Sequence, residues 1–301
     1  MNFSRRAKNL VSSATMSATL AAQARIKAGE DIVLASVGEP DVAAPPAAQQ
    51  EVIRQMQHGH SRYGSSGGLL EVREAVAVWM SDLYDQRWSA EYVILTPGSK
   101  FALFALLQIL CDEKDEVLIP SPYWVSYEAL TKLSGAKAMI IECQKENGYK
   151  LTAKQLSESI SDKTKLLILN SPQNPTGAVY SATELTELAK IIEQNTNLIV
   201  LCDDIYNQLI FSEQKRAPHL LDVLSPKDQD RIVIVHGASK SFAMTGWRLG
   251  WVVAEKKIIS KLCEFQSQTL TCIPDFLQLA LKQTLRQETT FVAELKESIH
   301  A

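Results

Sequence analysis

Arg231-Ile232-Val233-Ile234-Val235 runs without a break into His236-Gly237-Ala238-Ser239-Lys240. Four consecutive β-branched residues read as a strand buried on both faces, and such strands belong to parallel sheets covered by helices. The pattern recurs outward in both directions. Short apolar runs at Tyr92–Leu95, Glu116–Ile119, Ala138–Ile141, Lys165–Leu169, Leu198–Cys202 and Gly250–Ala254 alternate with longer helical patterns. The helical patterns fall at Phe101–Leu110, Tyr123–Leu133, Ala153–Ile160, Ala182–Gln194 and Lys256–Gln268, with earlier ones at Ala18–Lys27, Ala47–Gln57 and Leu69–Tyr84. Ser181 followed three positions later by Glu184 is a capping-box signature for the Ala182–Gln194 helix. The alternation predicts an α/β protein: a three-layer α/β/α unit around a mostly parallel seven-stranded sheet.

Composition narrows the function classes. With 301 residues and 46% hydrophobic content the chain can build a sizeable core, and its net charge of −3 is spread rather than blocked. Neither a nucleic acid nor an anionic membrane is implied as a partner. The longest apolar run, Phe101–Leu110, contains Gln108 and is about half the roughly 20 residues needed to cross a bilayer. Five scattered cysteines without a C-x-x-C pair argue against a zinc ribbon or a disulfide framework and for a reducing, cytoplasmic setting. His58-Gly59-His60 has no further His or Cys nearby, so no metal site is expected, since a tetrahedral site needs three or four ligands. The early stretch with Arg5, Arg6 and Lys8 imitates a transit peptide in composition.

Ligands of open α/β sheets bind beyond the carboxyl ends of the strands. Those positions carry the reactive residues here. Thr96-Pro97-Gly98-Ser99-Lys100 offers backbone N–H groups and a helix start to an anion. Asn170 to Gly177 is a loop with two amides between prolines, Asp203-Asp204-Ile205-Tyr206 follows another strand, and Arg248 lies eight residues beyond Lys240. A lysine among small residues can form a Schiff base with an aldehyde when burial depresses its pKa. Pyridoxal phosphate is such an aldehyde, and it also needs a phosphate cradle, an acid at its ring nitrogen, donors to its phenolate and a flat surface for its ring. Candidates exist for each: Lys240; Ser99, Ser239 and Arg248; Asp203; Tyr206 and Asn174; and Trp124.

Ser36-Val37-Gly38-Glu39-Pro40-Asp41, Tyr63-Gly64, Ser121 to Tyr127, Asn170 to Gly177, Asp203 to Tyr206, and Gly237-Ala238-Ser239-Lys240 through Gly246-Trp247-Arg248-Leu249-Gly250 together resemble the class I pyridoxal-phosphate aminotransferases of fold type I. Within them the chain looks most like the bacterial-type aspartate aminotransferase subgroup. The resemblance implies transfer of an amino group between an L-amino acid, aspartate-like or aromatic, and a 2-oxo acid such as 2-oxoglutarate, by ping-pong chemistry. Lys240 would carry the cofactor and move the proton, Asp203 would pair with the ring nitrogen, and Tyr206 and Asn174 would bond the phenolate. Trp124 would stack on the ring, and Arg248, Ser239, Gly98, Ser99 and Lys100 would hold the phosphate. Gly38, Trp124 and Asn174 would meet the substrate. Tyr63 would reach the cofactor of a second subunit, so a homodimer is expected.

The resemblance also divides the chain: 1–45 as an N-terminal arm and the start of a small domain, 46–290 as the large cofactor domain, and 291–301 as the opening of the small-domain connection. Family members continue for roughly another hundred residues, the size of a small domain, and bring a second arginine for the substrate carboxylate. On that reading the chain is C-terminally truncated, and Arg286 is no substitute. Alternatives are an impaired cofactor-binding remnant or another enzyme of the same fold, such as a C–S lyase. Against the family, residues 5–29 read as an arm rather than a transit peptide. The lysine motif makes a first prediction: after reconstitution with pyridoxal phosphate the protein is yellow, and borohydride fixes the cofactor on Lys240, as peptide mass spectrometry would locate. Colourless protein, or label on another lysine, contradicts it.

Overall fold

The computed structural model describes residues 2–8, 13–59, 62–287 and 290–300. Among these, seven strands form one sheet: β1 (Val93–Thr96), β2 (Glu116–Ser121), β3 (Lys137–Glu142), β4 (Thr164–Asn170), β5 (Ile199–Asp203), β6 (Ile232–Gly237) and β7 (Gly250–Val253), in the order β1-β7-β6-β5-β4-β2-β3. β7 runs antiparallel to both β1 and β6, while every other pair is parallel. β1 therefore points the same way as β6, and six carboxyl ends share one edge.

Side chains alternate across each strand and fill two separate cores. Leu95, Leu118, Leu167, Val200, Ile234 and Trp251 face one side, packed under the helices Leu70–Tyr84, Ala182–Gln194 and Asp275–Gln287. Ile94, Val117, Ile168, Leu201, Val233 and Val252 face the other, under Ser99–Leu110, Ser126–Ser134 and Lys256–Thr269. This is the three-layer sandwich expected. The capping box at Ser181 forms as read, with Ser181 Oγ accepting from the Glu184 N–H and the Glu184 carboxylate accepting from the Ser181 N–H at 2.8 Å.

Two local expectations are corrected, both at element starts facing the site. The helix expected from Phe101 begins at Ser99, because Gly98 at φ 83° turns the chain straight out of β1. Ser99 and Lys100 are thus first-turn helical residues rather than loop. Conversely, Tyr123 and Trp124 lie in the loop before Ser126–Ser134 and not in that helix, while Lys240 sits in a single helical turn, Ala238–Ser241. Beyond Pro274 the described residues form two helices, Asp275–Gln287 and Phe291–His300. No helix among the described residues is long and apolar enough to cross a membrane.

Small residues pin β1, β6 and β7 together at the carboxyl edge. Gly250 pairs with Thr96 on one side and Gly237 on the other. A Cβ on Gly250 would lie 2.6 Å from the Gly98 carbonyl carbon and from the Ser99 nitrogen, and one on Gly237 would lie 2.7 Å from Ser99 Oγ. The β1 turn fits only because both positions lack a side chain. Gly250→Ala is expected to cost about 1–3 kcal/mol, as overpacking does, which a lowered midpoint in chemical denaturation would register; an unchanged midpoint would show that the contact can relax.

Candidate active site

Most of the sequence-nominated residues meet in one chain of contacts along that edge. Asp203, the last residue of β5, is buried at 3% exposure, and its Oδ2 accepts a 2.6 Å hydrogen bond from the Tyr127 hydroxyl. Its Oδ1 is buried with no hydrogen-bond partner among the described residues. Burial pushes its pKa from 3.8 up to about 6, with the charge of Asp204 adding to the rise. The Tyr127 hydroxyl and the Ile205 N–H pull the other way. A buried carboxylate with a free oxygen is a costly group that a cationic donor would relieve.

Asn170 at the end of β4 ties the neighbouring loop to this strand: its Nδ2 donates to the Asp203 carbonyl at 2.7 Å and its Oδ1 accepts from the Asn174 N–H at 2.8 Å. That places the Asn174 amide 3.5 Å from the Tyr206 hydroxyl. Burial raises the phenol's pKa, the Asp203 charge adds to it, and the Asn174 donor lowers it. The Lys240 ammonium stands 5.7 Å from the centre of the Tyr206 ring, and Nζ donates to the Gly38 carbonyl at 2.5 Å. Partial burial lowers the Lys240 pKa, while the charge of Glu39 resists that shift.

The anion cradle forms at the end of β1. The Arg248 guanidinium lies across Gly98, occupying space that a Cβ there would fill, with Nη2 at 2.4 Å and Cζ at 2.8 Å from that Cβ position. Arg248 is exposed, donates from Nη1 to the Thr245 carbonyl at 2.7 Å, and forms no ion pair with a carboxylate among the described residues. It therefore faces the first turn of Ser99–Leu110, whose N–H groups lack partners within the helix. Ser99 Oγ donates to the His236 carbonyl at 3.0 Å, and Ser239 is buried beside the lysine. Lys100 points elsewhere, its Nζ 4.8 Å from the centre of the Trp124 ring. Burial and the Arg248 charge lower the Lys100 pKa. Trp124 is half-buried and meets Tyr127 edge to face at 5.5 Å. Tyr63 is 87% exposed, apart from these contacts.

The arrangement fits pyridoxal phosphate on its own terms: a buried acid with one free oxygen for the ring nitrogen, a phenol and an amide for the phenolate, a partly desolvated lysine, and an arginine over a helix N-terminus for the phosphate. Tyr127 and Asn170 were not singled out from sequence, although both stand in motifs quoted above. Cys202, just before Asp203, is fully buried with its thiol pushed far above the ordinary value. Among the described residues no group of three or more His, Cys, Asp or Glu could hold a metal; His60 lies outside them, and His58 bonds the Arg54 carbonyl through Nδ1.

Comparison with known proteins agrees with the geometry. The family model "Aminotransferase class I and II" matches residues 30–301, and the chain belongs to that family of pyridoxal-phosphate-dependent aminotransferases, which move an amino group between amino acids and 2-oxo acids. It is 35% identical over 269 residues to the aspartate aminotransferase of Bacillus subtilis strain 168, covering 89% of this chain and 68% of that protein. It is 37% identical to the aspartate aminotransferase of Geobacillus stearothermophilus, with the same coverage. The structure of the Thermus thermophilus aspartate aminotransferase with maleate superposes with a TM-score of 0.93 at 32% identity, covering 100% of this chain and 78% of that one. The enzyme class therefore stands, and the remnant and C–S lyase alternatives are not favoured.

The Asp203 shift gives a signed prediction. Its folded-state pKa lies above the ordinary 3.8, so this group's contribution to stability is present at low pH and lost as pH rises from about 4 through about 6. Asp203→Asn removes that loss. Cofactor-free variant is expected to melt above the parent at pH 8, with the gap closing toward pH 4.5, and to bind pyridoxal phosphate more weakly. Scanning fluorimetry at both pH values checks this; a pH-independent gap would contradict it.

Proposed function

We propose that this aminotransferase acts on aspartate or a similar dicarboxylic amino acid with a 2-oxo acid such as 2-oxoglutarate as partner. The observation that carries the site assignment is the free Oδ1 of buried Asp203 in the same cluster as Tyr206 and Lys240. Support for the substrate class comes from relatives named aspartate aminotransferase and from the maleate, a four-carbon dicarboxylate, in the Thermus structure.

When bound, pyridoxal phosphate supplies a cationic ring that accepts the electron pair released at the substrate Cα. Asp203 keeps a proton on the ring nitrogen, since its ionised form is the one the buried site penalises and a cation relieves. Tyr206 and Asn174 donate to the phenolate oxygen. Burial disfavours the charge of Lys240, and with pyridoxal phosphate bound its Nζ would be the group that takes the proton from the substrate Cα and gives one back. Arg248, Ser99, Ser239 and the Gly98–Ser99 backbone hold the phosphate dianion, with Lys100 adding charge nearby. Trp124 covers the ring face, and Gly38, Trp124 and Asn174 line the substrate side.

We assign residues 46–290 to the cofactor-binding unit, 1–45 to an arm and the first part of a smaller unit, and 291–301 to its connection. A homodimer in the cytoplasm completes the proposal. Exposed Met16 (53%), Leu20 (61%), Met56 (63%) and Tyr63 (87%) support an interface, and five free thiols support a reducing setting.

The test is a single turnover. Protein loaded with pyridoxal phosphate and given L-aspartate, without any oxo acid, is expected to release up to one equivalent of oxaloacetate per site. Lys240→Ala should release none on the same timescale. Equal release from both proteins would remove Lys240 from the chemistry, and release from phenylalanine but not aspartate would overturn the substrate class.

A further inference from the structure

Behind the cradle lies a buried polar cluster that the chemistry above does not use. His236, in β6, is fully buried, and three of its polar atoms reach three different places. Its carbonyl accepts from Ser99 Oγ at 3.0 Å. Its Nδ1 accepts from the Gly237 N–H at 2.7 Å. With Nδ1 an acceptor, the ring proton sits on Nε2, which donates to Asn207 Oδ1 at 3.0 Å. Burial drives the imidazole's pKa down to about 4, so the ring is neutral at physiological pH and keeps this polarity. It stacks on Trp251 at 4.9 Å and 13°, and Trp79 meets it edge-on at 5.4 Å.

The contacts continue under the other half of the site. Asn207 Nδ2 donates to the Tyr84 hydroxyl at 2.5 Å, and that hydroxyl donates to Asp204 Oδ2 at 2.5 Å. Asn207 directly follows Tyr206, and Asp204 directly follows Asp203. One side chain and its own carbonyl therefore connect the β1 turn at Ser99, the lysine turn opened by Gly237, and the segment carrying Asp203 and Tyr206.

We propose that His236 is a positioning residue that fixes the spacing between the phosphate end of the site and the ring end, so that pyridoxal phosphate engages both at once. This rests on the site assignment above. A ligand held at two points gains affinity through the effective concentration of its second end, and that gain is lost when the two subsites shift relative to each other. Each end taken alone keeps its own affinity. His236→Phe keeps the stacking surface and removes both imidazole hydrogen bonds.

The test measures binding of three probes to cofactor-free protein by equilibrium dialysis: pyridoxal phosphate, pyridoxal and inorganic phosphate. His236→Phe is expected to bind pyridoxal phosphate about tenfold more weakly, the scale of a lost buried hydrogen bond, while pyridoxal and phosphate affinities change by less than about twofold. A parallel loss for all three probes would mark a merely structural residue, and no change for any would remove the role; both overturn the inference. Should the Phe variant not fold, Asn207→Leu, which breaks the Nε2 link together with the Asn207–Tyr84 bond beyond it, is expected to give the same selective loss, and an unselective or absent loss there overturns the inference equally. If the unaltered protein does not bind pyridoxal phosphate, the site assignment fails and the inference with it.

Discussion

A carboxylate sealed under the edge of a parallel sheet with one oxygen unpartnered is the constraint around which this molecule is arranged. Asp203 cannot reach water, and its single side-chain hydrogen bond, from Tyr127, does not satisfy it. Its neighbour shows the contrast. Asp204 is equally buried, yet its pKa is held below the ordinary value, because His219 stands 3.2 Å from Oδ2 and the Tyr84 hydroxyl donates to the same oxygen. Two adjacent acids of one strand end are thus driven in opposite directions by their surroundings, and only the first is left in need of a cation. The imbalance costs stability, and a cationic group brought to the free oxygen would relieve it.

The sheet makes that placement possible. Because β1, β4, β5 and β6 run the same way, four separate segments deliver a helix N-terminus, an amide loop, an acid with a phenol, and a lysine to one edge. β7, running the other way, brings Gly250 to the same edge, where its missing side chain lets the β1 turn close. The phosphate cradle is consequently a packing feature as much as an electrostatic one.

Much of this was legible in the sequence. All seven strands were readable as short apolar runs, continuous where the strand is buried on both faces, and their ends shifted by only one or two residues. The starts of elements were less so: Gly98 and Ser99 looked like loop because small polar residues hide a helix that begins at once. The residues proposed for the cofactor stand out only through their order along the chain, since a lysine, an aspartate or a tryptophan alone has a commonplace surface or core role. Tyr127, Asn170 and His236 escaped because their parts depend on partners 76, 33 and 29 or more residues away, and no local spacing encodes such pairings.

The most direct measurement is a carbon-13 NMR titration of the Asp203 side-chain carboxyl, assigned with the Asn variant, in cofactor-free and cofactor-loaded protein. The account predicts titration near 6 without cofactor and a carboxylate that stays ionised below pH 4 once the ring is bound. An Asp203 that titrates at the same pH in both states would mean that the cofactor does not answer the buried charge, and would contradict the central claim.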